Sequence, residues 1–185
     1  MAALATTFFV PIQKALEGRY APGNWLLSTA GTEPYFNKKL ILEKKLDPAD
    51  VENVAARAIA VEPYVARVYT RGQLLAGRAP VDEFDKRVIR SFNPRRSGDL
   101  EIVLDPYWIR GTTGATHGTP YNYDTHIPLI FMGASIRSGR YYSAAALNDV
   151  TVTIASMLDV EIPSGSVGRI LSEMFNNQQI AATQK

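Results

Sequence analysis

Apolar positions along the chain change their period several times, and each change marks an element. Leu4, Phe8, Phe9, Ile12 and Leu16 recur near a helical repeat, with Pro11 predicting a break or a late start, so one short amphipathic helix is expected within residues 1–23. After the turn YAPGN, the stretch WLLSTAGTEPYFNKKLI places strand-like residues at Trp25–Thr29 and Pro34–Asn37 on either side of Gly31, which predicts a hairpin. In LDPADVENVAARAIAVEP, Asp47 is suited to cap a helix and Pro48 to open it. Val51, Val54, Ala55, Ala58 and Ile59 then share one face.

Residues Val65–Thr70 (VARVYT) and Leu100–Leu104 (LEIVL) are β-branched and aromatic in the manner of strands, the first ending before Gly72. Between them, PVDEFDKRVIRSF sets Phe84, Val88 and Phe92 four apart on a second helix. Residues about 24–105 therefore read strand, strand, helix, strand, helix, strand. This predicts an α+β fold with an antiparallel sheet and helices on one face.

The last third has a different texture. From Tyr107 through the stretch ATHGTPYNYDTH no period is visible, and a loop of this length usually serves a function or is disordered. It runs into IPLIFMG, a continuous apolar run expected for a strand buried on both faces of a parallel sheet. LNDVTVTIASMLDV then offers Asn148 or Asp149 as a cap and puts Val150, Ile154, Met157 and Leu158 on one helical face. The tail NNQQIAATQK is polar enough to fray. The expected divisions are a helix in 1–23, an α+β subdomain in 24–106, a third segment in 107–175 holding the loop, strand and helix, and a flexible tail in 176–185.

Composition narrows the function only slightly. The 185 residues are 46% hydrophobic, enough to bury a core. Twenty basic against 18 acidic residues give a net charge of +2, too weak a bias to argue for nucleic acid or an anionic membrane. The basic cluster FNPRRSG reads as a solvated turn rather than a phosphate contact. MAALATTFFV lacks a basic start and falls short of the ~20 apolar residues that span a bilayer, so neither a signal peptide nor a membrane segment is expected. Cysteine is absent, which removes thiolate ligands and disulfides and leaves His, Asp, Glu and hydroxyls as candidate metal ligands.

Both histidines, His117 and His126, fall in the aperiodic loop, nine positions apart. A zinc site needs three or four converging ligands, so these two alone are too few. Asp124 and His126 are two apart and would point to one side of an extended backbone ahead of Pro128. Such a carboxylate can orient a metal-bound imidazole or simply pin the loop by hydrogen bonding. His117 sits among Gly114, Gly118 and the hydroxyls of Thr112, Thr113, Thr116 and Thr119, a setting open to an oxyanion ligand as well as to an ordinary loop histidine. Other motifs are missing. GTTGATHG lacks the Lys-Ser/Thr ending of a phosphate loop, no H-E-x-x-H or G-x-S-x-G occurs, and PSGSVG reads as a tight turn. Trp25, Tyr107, Trp108, Tyr121, Tyr123, Tyr141 and Tyr142 lack the basic groove that would mark a base-stacking surface, so core or rim positions are expected.

GATHGTPYNYDTHIPLIFMG, followed by SGRYYSAAALNDVTVTIASMLDVEIPSGSVGRIL, resembles the C-terminal segment of alkaline phosphatase superfamily enzymes, in particular the type I phosphodiesterase/nucleotide pyrophosphatase branch and periplasmic alkaline phosphatases. The likeness extends upstream through YWIRGTTG, VARVYTRGQLLAG and GNWLLSTAGTEPYFN, and so covers most of the chain. It implies an α/β domain completed by the C-terminal strand and helix, with residues 24–106 as an α+β insertion. It also implies two zinc ions, a Thr or Ser nucleophile and a covalent phosphoenzyme formed from a phosphate-ester substrate.

Carried over to this chain, the resemblance makes His117 a zinc ligand. It leaves Asp124, His126 and Thr119 to support that ligand or fix the loop. The nucleophile and the other ligands of such enzymes belong upstream of this segment, and no histidine precedes His117. The expectation is a C-terminal fragment of a phosphomonoesterase or phosphodiesterase, without catalytic residues of its own, inactive alone, and exported or periplasmic in its parent. An exposed sheet edge at Ile127–Met132 would then favour a homodimer. The competing expectation is a self-contained α+β binding or oligomerisation module without catalysis.

Overall fold

The computed structural model describes residues 2–4, 8–28, 31–78, 82–111 and 114–175. The chain forms two compact units, Met1–Ile127 and Pro128–Lys185. Thr112, Thr113, Thr29 and the tail 176–185 lie outside the described residues.

The first unit opens with a strand, β1 (Ala2–Leu4), followed by helix α1 (Val10–Tyr20) with Pro11 in its first turn. Pro11 thus marks a late start, not a break, because proline's missing N–H costs nothing in the first helical turn. Ile12 and Leu16 are fully buried. The expected hairpin forms as β2 (Leu26–Ser28) and β3 (Tyr35–Phe36), antiparallel, with Gly31 in the turn at φ +58°. Trp25 ahead of it is fully buried, and its indole N–H donates to the Ala21 carbonyl at 3.1 Å.

Helix α2 (Lys38–Glu43) follows, and then α3 (Pro48–Ala60), whose first turn Asp47 caps by accepting from the Ala49 N–H at 2.9 Å. Val51, Ala55 and Ile59 are fully buried on the predicted face. Glu52 is buried beside them and accepts from the Gly72 N–H at 2.9 Å, which ties α3 to the start of helix α4 (Arg71–Leu75). Burial pushes its carboxyl above the ordinary range.

Strand β4 (Val65–Thr70) precedes α4, and helix α5 (Glu83–Ser91) leads to strand β5 (Leu100–Leu104), which pairs antiparallel with β4. Alternation along this pair divides two cores. Val68, Leu100, Ile102 and Leu104 join Phe8, Ile12, Leu16 and the buried face of α3. Tyr69 and Val103 face the other way, onto Leu74 and the α5 residue Val88. Helices therefore cover both faces of the pair, not one. On that second face the buried Tyr69 and Val103 alternate with the same face's charged Arg67 and Glu101, so the strands read as apolar and polar although helices cover both sides.

Among the described residues the strands form three two-stranded ladders: β2–β3 and β4–β5 are antiparallel as expected, and β1 pairs parallel with β6 (Trp108–Arg110). The short hairpin reaches β5 through a side chain instead of a ladder. Asp99 accepts from the Phe36 N–H at 2.8 Å, while its own N–H donates to the Pro34 carbonyl at 2.9 Å. The unit closes with one helical turn, α6 (Asn122–Thr125).

In the second unit, helix α7 (Leu147–Met157) is present as expected. Its cap differs. Ala146 precedes the helix, and Asp149 reaches back to accept the Ala146 N–H at 2.8 Å while also accepting the Arg169 N–H at 2.8 Å. Val152 and Ala155 are buried, and a small cluster of Leu171, Met174 and Phe175 forms near a 3-10 turn at Ser172–Met174. The strand expected at Ile127–Met132 does not form, and Ile130 and Met132 are 84% and 98% exposed. A strand is stable only against a neighbour that accepts its backbone hydrogen bonds, and no described strand pairs with this run.

Candidate functional site

The His-bearing loop leaves β6 and returns across α5 and β5, and four sets of contacts hold its second half. Pro120 and Asn122 are gripped by Arg87 on α5, whose guanidinium donates to the Pro120 carbonyl at 2.6 Å and to Asn122 Oδ1 at 3.0 Å. Tyr121 lays its ring edge-on to Phe84, with centroids 5.1 Å apart, and its hydroxyl donates to the Leu104 carbonyl at 2.8 Å. Tyr123 stacks between Tyr121 and Tyr107, at 5.5 and 5.0 Å. Asp124 closes the segment on itself, accepting from both the backbone N–H and the hydroxyl of Thr119 at 2.8 and 2.6 Å. Those two bonds hold the Asp124 carboxyl below the ordinary carboxylate range, with the nearby His117 acting in the same direction.

His117 projects just ahead of this anchored segment. Gly114 and Gly118 stand at φ +100° and +91°, conformations that glycine adopts without strain, so the backbone turns on both sides of the imidazole. The residue is exposed and lines a cleft of about 750 Å³. Glu101, Trp108, Arg110, Thr116 and Thr119 line it as well. Burial pushes the Glu101 carboxyl up to about 7, and the negative charge of Glu33 adds to the effect. The Arg110 guanidinium lies 4.8 Å over the Phe9 ring and donates to the Gly31 carbonyl, and burial lowers its proton affinity.

Asp124 and His126 do not share an extended backbone as expected. Asp124 lies within α6, and His126 ends that turn with its N–H on the Asn122 carbonyl at 2.9 Å. Asp124 accepts its hydrogen bonds from Thr119, and His126 is exposed and absent from the lining of the cleft. The structure thus brings His117 and Thr119 to one cleft, with Asp124 behind Thr119 and His126 apart. Sequence reasoning missed Arg87, Glu101 and Arg110, because each is one charged residue in an ordinary helix or strand and only the fold places it here.

The donor set is short for a metal. Zinc takes three or four ligands, and among the described residues no three His, Cys, Asp or Glu side chains gather where an ion could be held. The described side chains therefore do not complete a zinc site, and His117 presents a single imidazole.

No protein-family model matches the chain. Alkaline phosphatase PafA of Elizabethkingia meningoseptica is 29% identical over 179 residues, which are 93% of this chain and 33% of that protein. The crystal structure of wild-type PafA superimposes with a TM-score of 0.85 at 26% identity, over 95% of this chain and 34% of that one. This chain is built like part of an alkaline phosphatase. Alkaline phosphatase PhoV of Synechococcus elongatus is 29% identical over 141 residues, 76% of this chain and 26% of that protein. A protein of Myroides odoratus named a calcium-transporting ATPase is 26% identical over 165 residues, 88% of this chain and 30% of that protein. The resemblance to the C-terminal part of an alkaline phosphatase superfamily enzyme and the α+β fold class both hold. The chain spans about a third of the length of the curated relatives it matches.

Proposed function

We propose that this chain is the C-terminal portion of a metal-dependent phosphate-ester hydrolase, and that His117 is its one ligand to a zinc centre. The remaining ligands and a Thr or Ser nucleophile then come from sequence outside these 185 residues. The likeness to PafA over 95% of this chain, at a TM-score of 0.85, is the observation that carries this reading. The exposed imidazole between two left-handed glycines at the mouth of a cleft supports it. Asp124, Thr119 and His126 hold the loop rather than the metal. The substrate is a phosphate monoester or a diester of the nucleotide pyrophosphatase kind, and the parent enzyme is exported, as the family resemblance implies. The isolated chain is catalytically inert and self-associates through the exposed run Ile127–Met132.

The decisive experiment places this chain in the position of the matching third of PafA and assays p-nitrophenyl phosphate hydrolysis with added zinc. His117→Ala is expected to lower kcat/KM by about 100-fold or more, as removal of a metal ligand does, and His126→Ala to change it less than about tenfold. Equal effects of the two substitutions, with both proteins folded, would refute the assignment. Robust zinc-dependent turnover by the isolated 185 residues, abolished by His117→Ala, would refute the placement of the other site residues outside the chain.

A further inference from the structure

We infer that Arg87 is a positioning residue for His117: helix α5 forms the seat on which the imidazole-bearing loop is built, and one guanidinium fixes that loop in register. The role of the loop as a ligand carrier rests on the proposed function above, whereas the seating itself stands on geometry alone.

Arg87 lies between two sets of partners. Its own helix is fastened to β4 by Asp85, which is fully buried and accepts from the Arg67 guanidinium and the Tyr69 hydroxyl. Arg67 also pairs with Asp82 at 2.9 Å and lies 4.5 Å over the Phe84 ring. One turn of α5 therefore has little freedom to slide along the strand, and Arg87 rises from that turn. On the loop side, a single nitrogen reaches both a carbonyl, at Pro120, and a side-chain amide oxygen, at Asn122. These two acceptors flank Tyr121, whose ring rests on Phe84 of the same helix and whose hydroxyl is bonded to β5.

From this double anchor at Pro120 and Asn122 to His117 is a path of two residues, Gly118 and Thr119. Proline is locked in φ and Thr119 is bonded twice to Asp124, so Gly118 is the one soft joint left. Loss of the Arg87 bonds releases the base of this path, and the imidazole then samples positions from which a shared ion is not reached. Lysine does not replace it fully. An ammonium is a flexible point donor, whereas the planar guanidinium is held in one orientation and loses less freedom on making its bonds.

The first arm of the test uses the 185-residue chain itself, with amide order parameters from 15N relaxation. In the wild type, Gly118 and Thr119 are expected near about 0.85, the value of rigid backbone, and in Arg87→Ala below about 0.6, with Arg87→Lys between. Unchanged values in a folded Arg87→Ala protein overturn the inference. Should that variant not fold, Arg87→Lys and Asn122→Ala are judged by the same readout, and an unaltered loop in both is equally fatal.

The second arm uses the enzyme assembled with PafA. Arg87→Ala is expected to raise the zinc concentration for half-maximal activity by about 10- to 100-fold, as loss of groups that orient metal ligands does, and saturating zinc is expected to restore most of kcat. A loss that zinc does not recover indicates a general structural role and overturns the positioning one. If the assembled wild type is inactive, the proposed function fails, and the loop-order arm alone decides the role of Arg87.

Discussion

Two carboxyls near the cleft are shifted in opposite directions, and each shift has a pH at which it matters. Glu101 is driven up to about 7 by burial, so the folded chain keeps a proton there that the unfolded chain has released by about pH 5. Folding stability from this group is fully present below the unfolded value and is lost as pH rises through 7. Glu101→Gln removes the charge but keeps the shape. It is expected to leave thermal stability nearly unchanged at pH 4.5 and to raise it by up to about 3 kcal/mol at pH 8, since each tenfold change in proton affinity is about 1.4 kcal/mol. Equal melting shifts at the two pH values would refute the burial argument. Asp124 behaves oppositely. Its carboxyl is held low by Thr119, so the clamp it forms is intact above about pH 4 and is lost only as pH falls through the lowered folded value. Asp124→Asn should therefore remove part of the acid sensitivity of the Gly118 and Thr119 amide signals, followed by NMR between pH 6 and 2. Nothing in the sequence marks Glu101, which sits inside LEIVL like any outward strand residue. The fold brings Glu33 near it from 68 positions away.

At the scale of elements, what was legible is what local chemistry decides. Asp47 and Pro48 start α3 where their types place them, Pro11 opens α1, and Gly31 turns the hairpin. What was not legible depends on partners distant in sequence. Whether one or two faces of the β4–β5 pair are covered depends on where α5 docks, and whether IPLIFMG becomes a strand depends on a neighbour to pair with. The cap of α7 shows the boundary between the two. Asp149 was readable as a helix-start residue, but its second bond, to the Arg169 N–H, comes from 20 positions downstream. That contact brings Gly168 against the start of α7 so closely that an added Cβ would stand 2.2 Å from the Asn148 carbonyl oxygen. Backbone cannot yield as a flexible side chain can, so Gly168→Ala forces α7 and the 168–171 segment apart. The expected cost is about 1–3 kcal/mol, read as a lower urea midpoint of the transition reported by Phe131 and Phe175 side-chain signals. A control at Gly165, which has open space around it, should lie within about 0.5 kcal/mol of wild type. Similar costs at both positions would show that glycine flexibility, not the close approach, is what matters.

For the whole molecule, the apolar run at Ile127–Met132 departs from a surface suited to an isolated chain. Ile127, Leu129, Ile130 and Met132 are all exposed, whereas soluble monomers seldom display contiguous apolar surface beyond a few hundred Å². The same residues carry backbone groups without a ladder, which is a template for pairing with another chain. Both features call for the same kind of cover, a strand that accepts the backbone bonds and apolar side chains that bury the run. In the proposed enzyme that cover belongs to sequence outside this chain, and in its absence a second copy is the available substitute. Light scattering of the isolated chain is therefore expected to show a concentration-dependent dimer. Charge on the exposed positions works against this, because pairing would desolvate it. Ile130→Lys and Met132→Lys together should weaken association by about 10-fold or more while leaving the melting of the first unit unchanged, since neither residue belongs to its core. A strict monomer at high concentration, or a dimer indifferent to both lysines, would place the association surface elsewhere. The same two lysines should impair the enzyme assembled with PafA more than they impair the isolated chain, because in the proposed enzyme the run is covered by sequence outside these 185 residues.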